Sequence, residues 1–205
     1  TMLPEHSRWF VKYFSNEGDL CCDNSFGRGT NLLAAAYEGR RIIGFDLNEN
    51  NVECVREALT EHIGLAPSEF SLHHSCGVKM EEYKEANNII DLFLNDIPYI
   101  FGTEKYNDDP RDLGNIRKLD DFYEKVEEMM TNMKRLIKKS NYEQGIFKPI
   151  IMKVGSQRRG NQGLFDMATD IEMIGRRLSL TLHDKIFNEL RPAMQSYIIN
   201  TTFQK

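Results

Sequence analysis

The order of short apolar segments and helical ones constrains this chain most, because it alternates from the start and is broken at one place by a glycine-rich turn. Asp19-Leu20-Cys21-Cys22 reads as a buried strand that runs directly into Asp23-Asn24-Ser25-Phe26-Gly27-Arg28-Gly29-Thr30. A helix rich in Ala and Leu follows over 31–37, beginning at Thr30. Residues 41–45 form a second strand ending at Asp46, residues 49–63 have helical periodicity, and residues 70–73 form a third strand. Residues 89–94 form a fourth strand that leads straight into Asp96-Ile97-Pro98-Tyr99. Such alternation implies a mostly parallel sheet with helices on both faces. Ligands of those sheets bind outside the strand C-termini, where both singled-out segments lie.

The remaining pattern extends the same plan. Residues 4–14 predict an amphipathic helix, and 100–118 a long polar loop of the kind that is often functional. Residues 119–139 predict a strong helix, acidic early and basic late as the helix dipole favours. A fifth strand is expected over 146–154, a basic loop over 155–160, a helix over 164–178, and closing strands over 180–190 and 195–203. No repeat or long linker divides the 205 residues, so one domain is expected over 1–205.

Composition limits the function classes. No apolar run approaches the roughly 20 residues needed to cross a bilayer, and the first residues carry no export signal. Cys21, Cys22, Cys54 and Cys76 lack metal-ligand spacing and read as reduced core thiols of a cytoplasmic protein. His73 and His74, adjacent on a strand, point to opposite faces and do not make a metal pair. The net charge of −5 is unevenly spread: residues 1–110 carry nine basic and nineteen acidic side chains, and the other half seventeen and twelve. A polyanion would meet the second half more readily. Two ordinary solvated faces explain the asymmetry equally simply.

In the turn, Gly27 and Gly29 permit positive φ and keep side chains away from an approaching ligand. The turn lacks the GxGxxG spacing of dinucleotide sites and the Lys-Ser/Thr pair of a phosphate loop, so neither nicotinamide nor ATP is favoured. Asp46, at the end of the second strand, is placed to accept both hydroxyls of a ribose; its structural alternative is to cap the following helix. Ser75 and Cys76, at the end of the third strand, occupy the place of an adenine ring.

The second segment suits a planar amine. An exocyclic amino group on a base is a poor nucleophile because its lone pair is delocalised into the ring. The Asp96 carboxylate and a neighbouring backbone carbonyl can each accept one N–H, drawing the nitrogen toward tetrahedral geometry. Tyr99 can stack on the base and hold it for in-line attack, and Pro98 fixes the backbone that presents both groups.

Those residues resemble the DNA adenine-N6/cytosine-N4 methylase family. Its D-P-F-x-G-x-G-T motif is matched at Asp23, Gly27, Gly29 and Thr30, and its D/N/S-P-P-Y/F/W motif at Asp96, Pro98 and Tyr99. Leu3-Pro4-Glu5-His6 resembles the family's motif beside the cofactor, and the likeness extends over nearly the whole chain. The resemblance implies a Rossmann-like class I methyltransferase fold with a seven-stranded sheet, S-adenosylmethionine as methyl donor, and a base flipped out of a DNA duplex. It implies Asp23, Phe26, Gly27, Gly29, Thr30, Asp46, Ser75, Cys76 and Asp96 around the cofactor, and Asp96, Pro98 and Tyr99 at the chemistry. Lys153, Arg158 and Arg159 would hold phosphates.

The departures bear on function. Asn24-Ser25 replaces Pro-Phe, with Phe26 offering a ring one position later; Ser75 stands where relatives carry an acid; Ile97 replaces the first proline. No target-recognition domain of the usual size is evident, so specificity would be slight, or come from a second copy or a separate subunit. Adenine N6 of DNA is the leading acceptor. An RNA base, a protein glutamine amide, and a non-catalytic binding subunit are the alternatives.

Overall fold

The computed structural model describes residues 2–98, 107–155, 157–158, 164–189 and 197–204. Its elements run α1 (Pro4–Phe14), β1 (Leu20–Asp23), α2 (Thr30–Tyr37), β2 (Arg41–Asp46), α3 (Glu49–Glu57), β3 (Phe70–His74) and β4 (Leu92–Asp96). They continue with α4 (Leu119–Leu136), β5 (Ile150–Gly155), β6 (Gln157–Arg158), β7 (Leu164–Phe165), α5 (Met167–Arg177), β8 (Thr181–Glu189) and β9 (Tyr197–Gln204). One seven-stranded sheet has the order β3-β2-β1-β4-β5-β9-β8. The first five strands are mutually parallel, and β9 runs antiparallel between β5 and β8. The expected mostly parallel sheet is present.

Period-2 alternation divides the core into two layers. Cys21, Ile42, Leu92, Leu94 and Ile151 face one side, where they meet Phe10, Val11 and Phe14 of α1, Leu32 and Ala35 of α2, and Val52 and Val55 of α3. Their strand neighbours Cys22, Ile43, Phe93, Ile150 and Met152 face the other, against Phe122, Val126, Met129, Met130 and Met133 of α4 and Ile171 and Ile174 of α5. Both faces are covered, which is why these strands read as continuous apolar runs. Among the described residues no helix is long and apolar enough to cross a membrane.

Several boundaries differ from the sequence expectation, for identifiable reasons. The fourth strand starts at Leu92, and Ile90 instead bridges Ile137, where the chain turns extended and ends α4 three residues early. The fifth strand starts at Ile150 because Ile146 pairs back with Asn141 across a short turn. The expected helix over 164–178 begins only at Met167, since Asp166 caps it through the Thr169 amide, and Leu164–Phe165 pairs with Gln157–Arg158 as a small hairpin. The helix over 49–63 changes to π-helical turns at Ala58–Ile63. Three cysteines are buried as expected, but Cys54 is exposed. His73 and His74 do diverge, to the Tyr83 hydroxyl and the Leu47 carbonyl.

At the N-terminal edge of the sheet one carboxylate ties four segments together. Asp91 accepts from the Leu20 amide at 2.9 Å and from Lys138 at 2.8 Å and 2.9 Å, and pairs with Lys148, which also reaches Asp19. The basic end of α4 is thereby engaged within the protein: Lys134 donates to the Leu178 carbonyl and Arg135 to the Tyr83 and Ala86 carbonyls. Burial alone would raise the Asp91 carboxyl, but the Leu20 amide and the two lysines outweigh it and hold it below the usual carboxylate range. Its stabilising contribution is therefore present above the unfolded value of about 3.9 and lost as pH falls below it. Asp91→Ala is expected to lower unfolding free energy by about 3–5 kcal/mol at neutral pH, measured by urea denaturation, with the difference shrinking below about pH 4.

Candidate functional site

The C-terminal ends of β1, β2 and β4 open on one cavity, which encloses about 1060 Å³ including the solvent at its mouth. From the glycine turn it is lined by Asp23, Phe26, Gly27 and Thr30, from the end of β2 by Asp46, after β3 by Cys76, and from the end of β4 by Asp96 and Pro98. Eight of the sequence-predicted residues thus share one wall. Tyr99 and Arg159 lie outside the described residues, as does the side chain of Arg158.

The two glycines do different work. Gly27 has φ +53°, and a Cβ there would meet only open space. Gly29 has φ +77°, and its Cβ would lie 2.4 Å from Val55 Cγ2, so it serves the packing of the turn on α3 and does not line the cavity. Ser75 is also absent from the wall: its amide donates to the Asp46 carbonyl, and its enclosed hydroxyl has no partner among the described residues. Within the opening motif, Leu3 is exposed, and Met2 lines the cavity.

Asp46 organises the turn from the second strand. Its Oδ2 accepts the Gly27 amide at 2.7 Å, and its Oδ1 accepts the Asn48 amide at 2.8 Å and Asn51 Nδ2 at 3.1 Å. The cap of α3 is Asn48, whose side chain accepts the Asn50 amide, so Asp46 is released from the capping role. Burial raises its carboxyl, against those three hydrogen bonds. Asp23 is almost wholly buried, accepting from the Ser25 amide at 3.0 Å and Asn31 Nδ2 at 2.8 Å. Asn31 in turn accepts the Ser7 hydroxyl at 2.7 Å, which ties α1 to the turn.

The residues that depart from the family motif form a network that sequence reasoning missed. Asn95, fully buried, donates through Nδ2 to Asn24 Oδ1 at 2.6 Å and to Ser25 Oγ at 2.8 Å. Asn24 donates to the Gly77 carbonyl at 3.0 Å. A Cβ on Gly77 would lie 1.6 Å from the Asn24 carbonyl oxygen, so the two loops meet backbone to backbone. The available signal was Asn95 inside the apolar run Leu92-Phe93-Leu94: a buried amide in a central strand requires partners. The loop after Asp96-Ile97-Pro98 also contributes wall residues not foreseen, Asn107, Arg111, Asp112 and Leu113, and α4 contributes Met129.

Lys153 requires the largest correction. Its side chain is 2% exposed, and Nζ lies 2.8 Å from Asp96 Oδ2. A lysine enclosed beside β4 and paired to a carboxylate is not a surface phosphate contact.

No family model and no curated protein matches the chain. Among solved structures it is similar to an rRNA methylase from Streptococcus thermophilus, at 12% identity and TM-score 0.63, covering 100% of this chain and 98% of that one. It is similar to TrmN from Thermus thermophilus, at 12% identity and TM-score 0.67, covering 100% and 49%. A third is the 1,6-didemethyltoxoflavin-N1-methyltransferase from Burkholderia thailandensis, at 13% identity and TM-score 0.65, covering 98% and 77%. At these identities the likeness shows the fold, which is the Rossmann-like methyltransferase fold expected from the sequence.

Two outcomes follow from this geometry. Burial pushes the Asp23 carboxyl up to about 7, opposed by the Ser25 and Asn31 hydrogen bonds and assisted by Asp96 and Asp46. The folded state then holds a proton that the unfolded chain releases near pH 3.9, so Asp23's contribution is fully present below that value and is lost as pH rises toward about 7. Denaturation midpoints should fall through that window by a slope approaching about 1.4 kcal/mol per pH unit, and Asp23→Asn should flatten it. Gly77→Ala should displace or unfold the cavity wall, seen as a stability loss of at least about 3 kcal/mol by denaturation.

Proposed function

We propose that this protein transfers a methyl group from S-adenosylmethionine to an exocyclic amino nitrogen of a DNA base, adenine N6 in the first instance. One observation carries the reading: the glycine turn and the Asp96-Ile97-Pro98 segment, chosen from sequence for complementary halves of one reaction, line the same cavity.

The cavity fits the donor's chemistry. Gly27 leaves open space where a side chain would stand, Asp46 offers a carboxylate at the end of β2, and Cys76, Val78, Leu113 and Met129 give an apolar wall for a purine. Asp23 and Asp46 would hold its polar groups. Bound there, S-adenosylmethionine supplies an electrophilic methyl on a sulfonium. Asp96 accepts one N–H of the amine and orients its lone pair, while Pro98 restricts the backbone whose carbonyl accepts the other. Transfer leaves a cationic nitrogen, which loses its proton to water. Tyr99 stacking on the flipped base and Arg158 and Arg159 on phosphates belong to the same proposal.

An RNA base is the second reading. It is favoured by the near-complete mutual coverage with the rRNA methylase.

The test offers tritiated methyl donor with DNA, RNA and protein acceptors, followed by nucleoside analysis. N6-methyladenine in DNA is the expected product. Asp96→Ala should lower transfer by about 10²- to 10³-fold or more while S-adenosylhomocysteine still binds within a few-fold, read by calorimetry. Cofactor binding with no acceptor of any class labelled would overturn the enzymatic reading and leave a binding subunit.

A further inference from the structure

Four carboxylates line the cavity: Asp23, Asp46, Asp96 and Asp112. Gathering acids in a half-enclosed space favours protonation, by burial and by mutual repulsion. Three of them follow that rule. Burial raises Asp23, Asp46 and Asp112, and like charge from neighbouring acids adds to the effect at Asp23 and Asp112. Among the described residues none of these three has a lysine or arginine within ion-pair distance. The two arginines on the wall are both exposed, and Arg111 is engaged by Asp109.

Asp96 is treated differently. It stands opposite Lys153 in the parallel β4–β5 ladder, so both side chains leave the sheet on the same side, and the Lys153 carbonyl accepts the Ile97 amide at 3.3 Å. The ammonium reaches Asp96 Oδ2 at 2.8 Å. Exposure is graded across the pair, 2% for the lysine and 19% for the carboxylate. Asp96 borders the cavity and Lys153 does not. The cation therefore stands behind the carboxylate, out of reach of any acceptor, and holds one of its oxygens from the protein side. Enclosing a lysine is costly unless the partner is fixed and ionised.

We propose that Lys153 is a positioning residue for methyl transfer: its ammonium holds Asp96 Oδ2 from the protein side and fixes the orientation of that side chain toward the amino group of the acceptor. The role rests on the methyl-transfer reading, and it would be shared by an adenine in DNA or in RNA, since either presents the same amine. It also accounts for a basic side chain that makes no phosphate contact. An uncharged residue at 153 would take that ammonium from Asp96 Oδ2 and leave the orientation of the side chain less defined.

The test compares wild type, Lys153→Met and Lys153→Arg. S-Adenosylhomocysteine affinity, by calorimetry, reports whether each variant retains the cavity. Steady-state transfer is measured from about pH 5.5 to about 9 on whichever nucleic acid the wild type labels. Lys153→Met should bind S-adenosylhomocysteine within about threefold of wild type and lose about 10²-fold in kcat with KM little changed. Lys153→Arg should recover kcat to within about tenfold, as an ion pair requires and general packing does not. A Lys153→Met protein that binds S-adenosylhomocysteine normally and keeps kcat within about threefold across the range overturns the proposal. The carboxyl-carbon chemical shift of Asp96 at one fixed pH, its signal identified by its absence in Asp96→Asn, separates this outcome from failure of the functional reading. The shift should differ between Lys153→Met and wild type, whether or not an acceptor is labelled. Identical shifts in the two proteins would also refute the pairing role.

Discussion

The buried amide of Asn95 is the contact on which the site depends. Parallel strands β1 and β4 are neighbours in the sheet, but ladder hydrogen bonds stop where the strands end, and beyond that point two loops are free to diverge. Asn95 prevents this by donating from the end of β4 to Asn24 and Ser25 in the turn after β1. Asn24 passes the connection to the Gly77 carbonyl beyond β3. Three loops that would otherwise be independent thus hold a fixed relation across the cavity mouth. An amide with both hydrogens engaged defines direction as well as distance, which apolar packing does not.

This network changes the meaning of the motif departures. Asn24-Ser25 in place of Pro-Phe looks, from the motif alone, like erosion of a cofactor loop. In the fold these two side chains accept hydrogen bonds from the strand that carries Asp96, and Phe26 is buried against the core. Asn24 and Ser25 form a polar clamp, with Asn95 as its complement.

What was legible in the sequence were the features set by local pattern. Apolar runs of strand length, the glycine turn and the amphipathic faces of α1 and α4 placed the sheet and the helices, and eight of the residues singled out in the sequence line one cavity. Features set by tertiary pairing were not legible. Ile90 and Ile146 have strand composition, yet each is taken by a short bridge outside the main sheet, so β4 and β5 begin later than their apolar runs. Lys153 has the composition of a surface cation near Arg158 and Arg159, but strand register turns it toward Asp96. Gly29 and Ser75 belong to loops that border the cavity without lining it themselves, because Gly29 packs on Val55 and the Ser75 amide is tied to the Asp46 carbonyl. Cys54 lies on α3, whose buried face is carried by Val52 and Val55.

The antiparallel position of β9 has a consequence for biogenesis. In the finished sheet β8 has β9 as its sheet neighbour, and β9 also supplies the rung to β5. As a nascent polypeptide emerges, β1 to β5 can zip together in turn, with α1 to α4 closing over them. The β8 segment, already synthesised, lacks its own partner until the later strand slots in beside β5. Assembly of this half of the sheet is obliged to wait for a segment made after it.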